Sequence, residues 1–431
     1  MTPPTMTSPV APLAYVPTST AAASASTPSI STPGTSTPSA AEPNAASAIL
    51  GTYKRQAPLF VRGEGVYMYD EAGTKYLDFV AGIAVTALGH GDAGVMQAMQ
   101  EAMATGLLHT FNLYRTAPGE QLAQWLVSHS FASQVFFCNS GAEANEGAFK
   151  FARRWARAEE APAKHEIIAV RGSFHGRMPG TLAATDRPAY RLPFRPLMGG
   201  VTIVERDLEE LRTVLDPDTA AAVIVEPIQG EGGVRIVDPE FLRGLRALTR
   251  ERNVLLILDE IQCGLGRTGS FFAYEQLGIE PDMLTLAKPL AGGLPMGAIL
   301  VNEPVARTIQ PGDHGTTFGG GPLLAHVAHH VVQRLADPAM LTHVQETGVW
   351  FGEQLQAMSE RTGRIRAIRG KGLMWGVDVH EPAAAVIARA FAKGLLLVSA
   401  GEHTIRFLPP LVITRDELAT GLAILEAALV A

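Results

Sequence analysis

Short, continuous apolar runs that alternate with helical patterns constrain this 431-residue chain most. Val135-Phe136-Phe137-Cys138 precedes an Ala-rich amphipathic stretch from Ala142 to about Ala158. Glu166 to Val170 and Ala221-Ala222-Val223-Ile224-Val225 are further runs, after which Phe241 to Arg252 reads as a helix. Val254 to Leu258 and Met283 to Leu286 complete the series. A strand that is apolar on both faces must be covered on both. The order therefore predicts an α/β fold around a parallel sheet flanked by helices. From about residue 330 the pattern changes to a long helical stretch, then Leu373 to Val379, Leu395 to Val398, Thr404 to Leu408 and a final helix. That part reads as a smaller α+β domain.

Residues 1–48 carry one charged side chain, Glu42, and are almost entirely Ala, Ser, Thr and Pro. Such a stretch has little to bury, so it is expected to be a disordered tail without chemistry. It has neither the basic start and apolar block of a secretory signal nor the arginines of a transit peptide. Lys plus Arg total 35 against 42 Asp plus Glu, a net charge of −7. Without a basic excess, nucleic acid is not expected as a partner. Cys138 and Cys263 make no disulfide framework and fit a reducing cytoplasm. No charge-free apolar run reaches about 18 residues, so no membrane span is expected.

Ligands of parallel sheets collect at the carboxyl ends of the strands. Four such ends carry chemistry. Asn139-Ser140-Gly141-Ala142-Glu143 runs from a strand through a Ser-Gly turn into a helix, where free N–H groups can hold an anion. The same residues also suit a plain helix capped by Ser140. Asp259, directly after Leu258, is either a structural charge or the partner of a cation such as a protonated pyridine nitrogen. Lys288 alone among seven lysines follows an apolar strand and precedes a Pro/Gly-rich loop. Desolvated there, it is a candidate nucleophile toward a carbonyl; otherwise it is a surface lysine at a strand end. In Ser173-Phe174-His175-Gly176-Arg177 the aromatic could stack on a flat ring and the arginine bind a carboxylate. His175 reads as structural, since no nucleophile or metal-ligand pattern surrounds it. Gly264-Leu265-Gly266-Arg267-Thr268-Gly269 matches a dinucleotide-binding spacing, but Asp259 to Cys263 separate it from its strand and no helix pattern follows.

Taken together and in order, these segments, with Val225-Glu226-Pro227-Ile228-Gln229-Gly230-Glu231-Gly232-Gly233, Asp259-Glu260-Ile261-Gln262 and His314-Gly315-Thr316-Thr317-Phe318-Gly319-Gly320, resemble the class III aminotransferases from about Tyr53 to the C-terminus. The resemblance implies fold type I, with a mostly parallel seven-stranded sheet. Residues 96–325 would form the large domain that binds pyridoxal 5'-phosphate, and 326–431 the small domain, joined by the segment 49–95. Asp78 to Val85 and His109 to Tyr114 are most similar to members that pass the δ-amino group of N2-acetylornithine to 2-oxoglutarate. Lys288 would link to the cofactor and shuttle a proton. Asp259 would pair with the pyridinium nitrogen, Gln262 would meet the ring hydroxyl side, Phe174 would stack on the ring and Glu226 would support these contacts. Ser140, Gly141 and Ala142 would hold the phosphate, helped by Thr317 from the second subunit of a homodimer. No metal is implied.

The resemblance also implies a way to serve two substrates. Arg177 would bind the carboxylate remote from the reacting amine, and Arg406 the carboxylate next to the reacting carbon. Glu231 would pair with Arg406 while an ω-amino donor is bound and swing away for 2-oxoglutarate or glutamate. The alternative for Glu231 and Arg406 is a fixed ion pair. Thr316, another substrate-side position, replaces the usual Ser; Gly321 replaces an Asn, Thr86 another Asn, and Gly91 to Gly94 a His/Pro-containing stretch. Ile83 takes the place of a Tyr that suits a free α-amino group, which favours an acylated donor. Succinylornithine, succinyldiaminopimelate, acyl-lysine, ornithine or 4-aminobutyrate remain alternative donors. A cofactor-binding scaffold without activity and a nicotinamide oxidoreductase are the rivals from other classes.

Overall fold

The computed structural model describes residues 48–431 apart from Phe111 and Pro162. The tail read at 1–48 thus lies, but for Ala48, outside the described residues. The chain divides at Ala57/Pro58. Residues 48–57 hold no helix or strand.

The second unit, from Pro58, is built on a seven-stranded sheet in the spatial order Gln134–Cys138, Gly297–Val301, Met283–Leu286, Leu255–Asp259, Ala220–Val225, Glu166–Val170, Val201–Val204. Gly297–Val301 runs antiparallel to both neighbours, and the other strands are mutually parallel. Alternate residues serve two cores. Val223, Val225, Leu256 and Leu258 pack on one face, while Ala222, Ile224, Leu255 and Ile257 pack on the other. This is why the strands read as unbroken apolar runs. Helix Gly141–Ala158 covers the second face through Ala144, Ala148, Phe151, Ala152 and Trp155. Pro239–Glu251 lies against the first through Leu242, Leu245 and Leu248.

Two four-stranded sheets and a two-stranded ribbon, Ile228–Gln229 with Arg235–Ile236, stand outside this layer. Ile365–Lys371, Met374–Val379, Thr404–Phe407 and Val398–Ser399 form an antiparallel sheet. Phe60–Glu64, Tyr67–Asp70 and Lys75–Asp78 form a meander whose last strand pairs in parallel with Leu395–Leu396.

The structure departs from the sequence expectation at some elements. Strands Val201–Val204, Gly297–Val301 and Ile365–Lys371 were not anticipated. The long helical stretch is two helices, Pro322–Leu335 and Pro338–Thr362. The break falls where Asp337 Oδ1 accepts from Ala339 N at 2.8 Å and Pro338 opens the new helix.

Candidate active site

The parallel strands end on one edge of the sheet, and the chemistry-bearing residues follow those ends. A cavity of about 410 Å³ opens there, within the usual range of small-ligand sites. It is lined by Ser140, Gly141, Ala142, Phe174, Arg177, Glu226, Asp259, Gln262 and Lys288, among others. Segments far apart in sequence thus meet at one cavity.

Each wall has a local cause. Ser140 is extended and its Oγ accepts from Glu143 N at 3.2 Å, which starts the helix Gly141–Ala158 with Gly141 and Ala142 lining the cavity. A side chain at Gly141 would bring a Cβ within 2.8 Å of the Ile261 side chain. Glycine there lets Ile261 close on the helix start. Asp259 is buried and crowded with donors: Asn145 Nδ2 at 2.8 Å and His175 Nδ1 at 2.8 Å on Oδ2, and Ile261 N at 3.1 Å on Oδ1. Among the described residues, His175 Nε2 and Asn145 Oδ1 are buried without a partner. A carboxylate held this firmly on a cavity wall suits a protonated ring nitrogen. Pyridoxal phosphate, with one phosphate, one basic nitrogen and one carbonyl, therefore fits the helix start, Asp259 and Lys288 in turn.

Lys288 begins a short 3-10 turn, Lys288–Ala291, with φ +39°, an uncommon conformation for a residue with a Cβ. Desolvation lowers its amine below the ordinary lysine range; Asp259, Glu231 and Glu226 oppose this and Arg406 reinforces it. Glu226 accepts from Phe174 N at 2.9 Å and Gly230 N at 3.3 Å. Burial pushes its carboxyl up to about 7, against the pull of His175.

Arg406 lies in the strand Thr404–Phe407 and is 1% exposed. Its Nη1 is 2.6 Å from Glu231 Oε1 and donates to Gln262 Oε1 at 3.0 Å. Gln262 thus faces the arginine as well as the cavity. A Cβ at Gly230 would fall 1.9 Å from Gln262 Oε1, so only glycine leaves Gln262 its place. Arg177 is exposed, with its guanidinium 3.4 Å from the centroid of the Tyr190 ring and 5.8 Å from that of Phe174.

Thr316 and Thr317 do not line this cavity. Thr316 Oγ1 accepts from Asn139 Nδ2 at 3.1 Å, and Thr317 is exposed. Sequence reasoning passed over Asn145, and it read His175 as structural. Asn145 lies five residues after Ser140 on the helix, and no local spacing marks it as the partner of Asp259. The glycines at 264–269 lie in a loop of turns around buried Arg267, with no helix start, so the dinucleotide match is incidental. Among the described residues no group of His, Cys, Asp and Glu could hold a metal, and no helix is long and apolar enough to cross a membrane.

The family model for class III aminotransferases matches residues 52–429. An acetylornithine aminotransferase of Gloeobacter violaceus is 49% identical over 88% of this chain and 94% of its own length. The crystal structure of an N-acetylornithine aminotransferase from Stenotrophomonas maltophilia superposes with a TM-score of 0.77 at 39% identity, covering 87% of this chain and 96% of that one. An ornithine aminotransferase from Toxoplasma gondii gives a TM-score of 0.84 at 31% identity, over 89% and 92%.

Proposed function

The chain belongs to the class III aminotransferases, and on that premise we propose that it moves the δ-amino group of N2-acetylornithine to 2-oxoglutarate, giving N-acetylglutamate semialdehyde and glutamate for arginine biosynthesis. The cofactor of these enzymes is pyridoxal phosphate. When bound, it supplies the carbonyl that receives the amino group and an electron-withdrawing ring. Asp259 would hold the ring nitrogen, Phe174 the ring face, Gln262 the hydroxyl side, and Ser140, Gly141 and Ala142 the phosphate. Lys288 Nζ, kept neutral more readily by burial, would take a proton from the amino-bearing carbon of the substrate. Glu226 would brace the loop of Phe174 through its hydrogen bond to that residue's N–H.

The observation that carries the reading is the 2.6 Å pair of Arg406 and Glu231 beside Lys288. A donor whose reacting carbon bears no carboxylate leaves Arg406 in need of a counter-charge, and Glu231 meets it. A diacid brings its own carboxylate, so Glu231 must then leave. Arg177 would bind the remote carboxylate in both cases, and Thr316 would support the substrate side. Thr317, exposed on its own protomer, would complete the phosphate site of a second copy in a cytoplasmic homodimer.

The test is spectroscopic. The purified protein with bound cofactor is mixed separately with N2-acetylornithine, ornithine and 4-aminobutyrate. Fastest bleaching of the visible band by acetylornithine is expected. Fastest bleaching by another donor would replace the substrate, and a protein that never takes up the cofactor would sink the assignment.

A further inference from the structure

A gate needs two resting places for its moving charge. The first is Arg406, 2.6 Å from Glu231 Oε1. Arg187 is placed to be the second. Its Nη2 donates to the backbone carbonyl of Glu231, and it forms no ion pair among the described residues. The adjacent Asp186 is already engaged, accepting from Gly172 N at 2.8 Å and lying 3.9 Å from Arg171 Nη1. A guanidinium has five donors in a planar fork, so one bond to a carbonyl leaves others for a carboxylate. The Glu231 side chain is 21% exposed, not sealed in the interior, and Arg187 holds its carbonyl. Released only into water, the carboxylate would give up its pairing with a buried cation, and the closed state would dominate.

We propose that Arg187 is the receiving partner of the gate: the Glu231 carboxylate alternates between Arg406 and Arg187, moving to Arg187 when a diacid takes Arg406. The proposal rests on the reading of Glu231 as a gate. Arg187 then acts as a positioning residue, raising the population of the open state that 2-oxoglutarate and glutamate bind. Its cation also compensates the displaced carboxylate.

Glutarate, a diacid that cannot react, reads the open state directly. Calorimetric titration of the cofactor-loaded enzyme with glutarate should show binding weakened about tenfold in Arg187→Gln, because the competent population falls. The KM for 2-oxoglutarate should rise by a similar factor, with kcat and the donor KM affected far less. Arg187→Lys should recover much of the loss. Glu231→Gln should tighten glutarate, and adding Arg187→Gln to it should change nothing further. If Glu231→Gln tightens glutarate while Arg187→Gln alone has no effect, the gate stands and the receiving role of Arg187 is wrong. An equal loss with and without Glu231 would also overturn it, since Arg187 would then act on the diacid or the loop directly. No response of glutarate to Glu231→Gln would remove the gate itself.

Discussion

At Asp259, three donors from Asn145, His175 and Ile261 converge on one buried carboxylate. Such a group is expensive to bury unless every lone pair is engaged, so its surroundings are as determined as the residue itself. That explains what could be read beforehand. Asp259 and Lys288 are visible because each ends an apolar strand. Asn145 and His175 owe their place to contacts across 114 and 84 residues, which local spacing does not encode. Lys288→Ala should lower transamination by about a thousandfold or more, since no neighbouring amine lines the cavity to replace it. Turnover near the wild-type rate would remove Lys288 from the mechanism. Burial lowers the Lys288 amine, so its free base forms more readily than that of an ordinary lysine at 10.5. Uptake of pyridoxal phosphate by the apoprotein, followed by visible absorbance, should therefore rise with pH and level off below 10.5. An inflection at or above 10.5 would contradict a desolvated amine. Tyr190 holds the exposed Arg177 by its ring face, a contact worth about 0.5–1 kcal/mol. Tyr190→Leu should raise the KM for the donor roughly two- to fivefold, and Tyr190→Phe should not.

The elements that were legible share one property, a run of side chains that is either wholly apolar or amphipathic with a helical period. Ala220–Val225 is buried along its whole length and stands out in the sequence. Ile365–Lys371 interleaves Arg366, Arg369 and Lys371 with its apolar residues and leaves most of them in contact with water, so it hid among charged residues. Gly297–Val301 is apolar throughout but short, opens on glycine and follows Pro295, and its reversed direction depends on neighbours 12 and 159 residues away, Leu286–Ala298 pairing on one side and Cys138–Gly297 on the other being what orients it. The helix Gly141–Ala158 couples fold to chemistry, because its start is also the proposed anion site. Ser140→Ala removes the acceptor for Glu143 N and should cost about 1 kcal/mol of stability. It should also weaken cofactor affinity, since the first turn frays where the phosphate binds. Equilibrium dialysis of the cofactor and a urea titration read the two effects separately. A loss of stability with unchanged affinity would confine Ser140 to capping.

At the scale of the whole molecule, the buried acids tie stability to pH. Glu260 is 1% exposed and accepts from Ala273 N at 2.6 Å and Tyr274 N at 2.7 Å. Those donors favour the ionised form, yet desolvation outweighs them and pushes the carboxyl up to about 8. In the unfolded chain the same group titrates near 4.5. Between these values the folded protein binds a proton that the unfolded chain has released. Stability from Glu260 is thus complete below about pH 4.5 and is lost as pH rises towards 8. At ~1.4 kcal/mol per unit the swing amounts to a few kcal/mol, a large part of what holds a domain folded. Glu226, pushed up to about 7, acts in the same direction over a narrower window. Glu260→Gln carries no titrating proton there and keeps one acceptor for the two N–H groups. Urea midpoints measured from pH 5 to 8.5 should therefore fall more steeply for the wild type than for Glu260→Gln. The comparison is one of slopes, so a uniform offset from imperfect amide geometry does not affect it. Parallel curves would mean that Glu260 ionises as readily folded as unfolded, and that the two backbone donors balance desolvation after all.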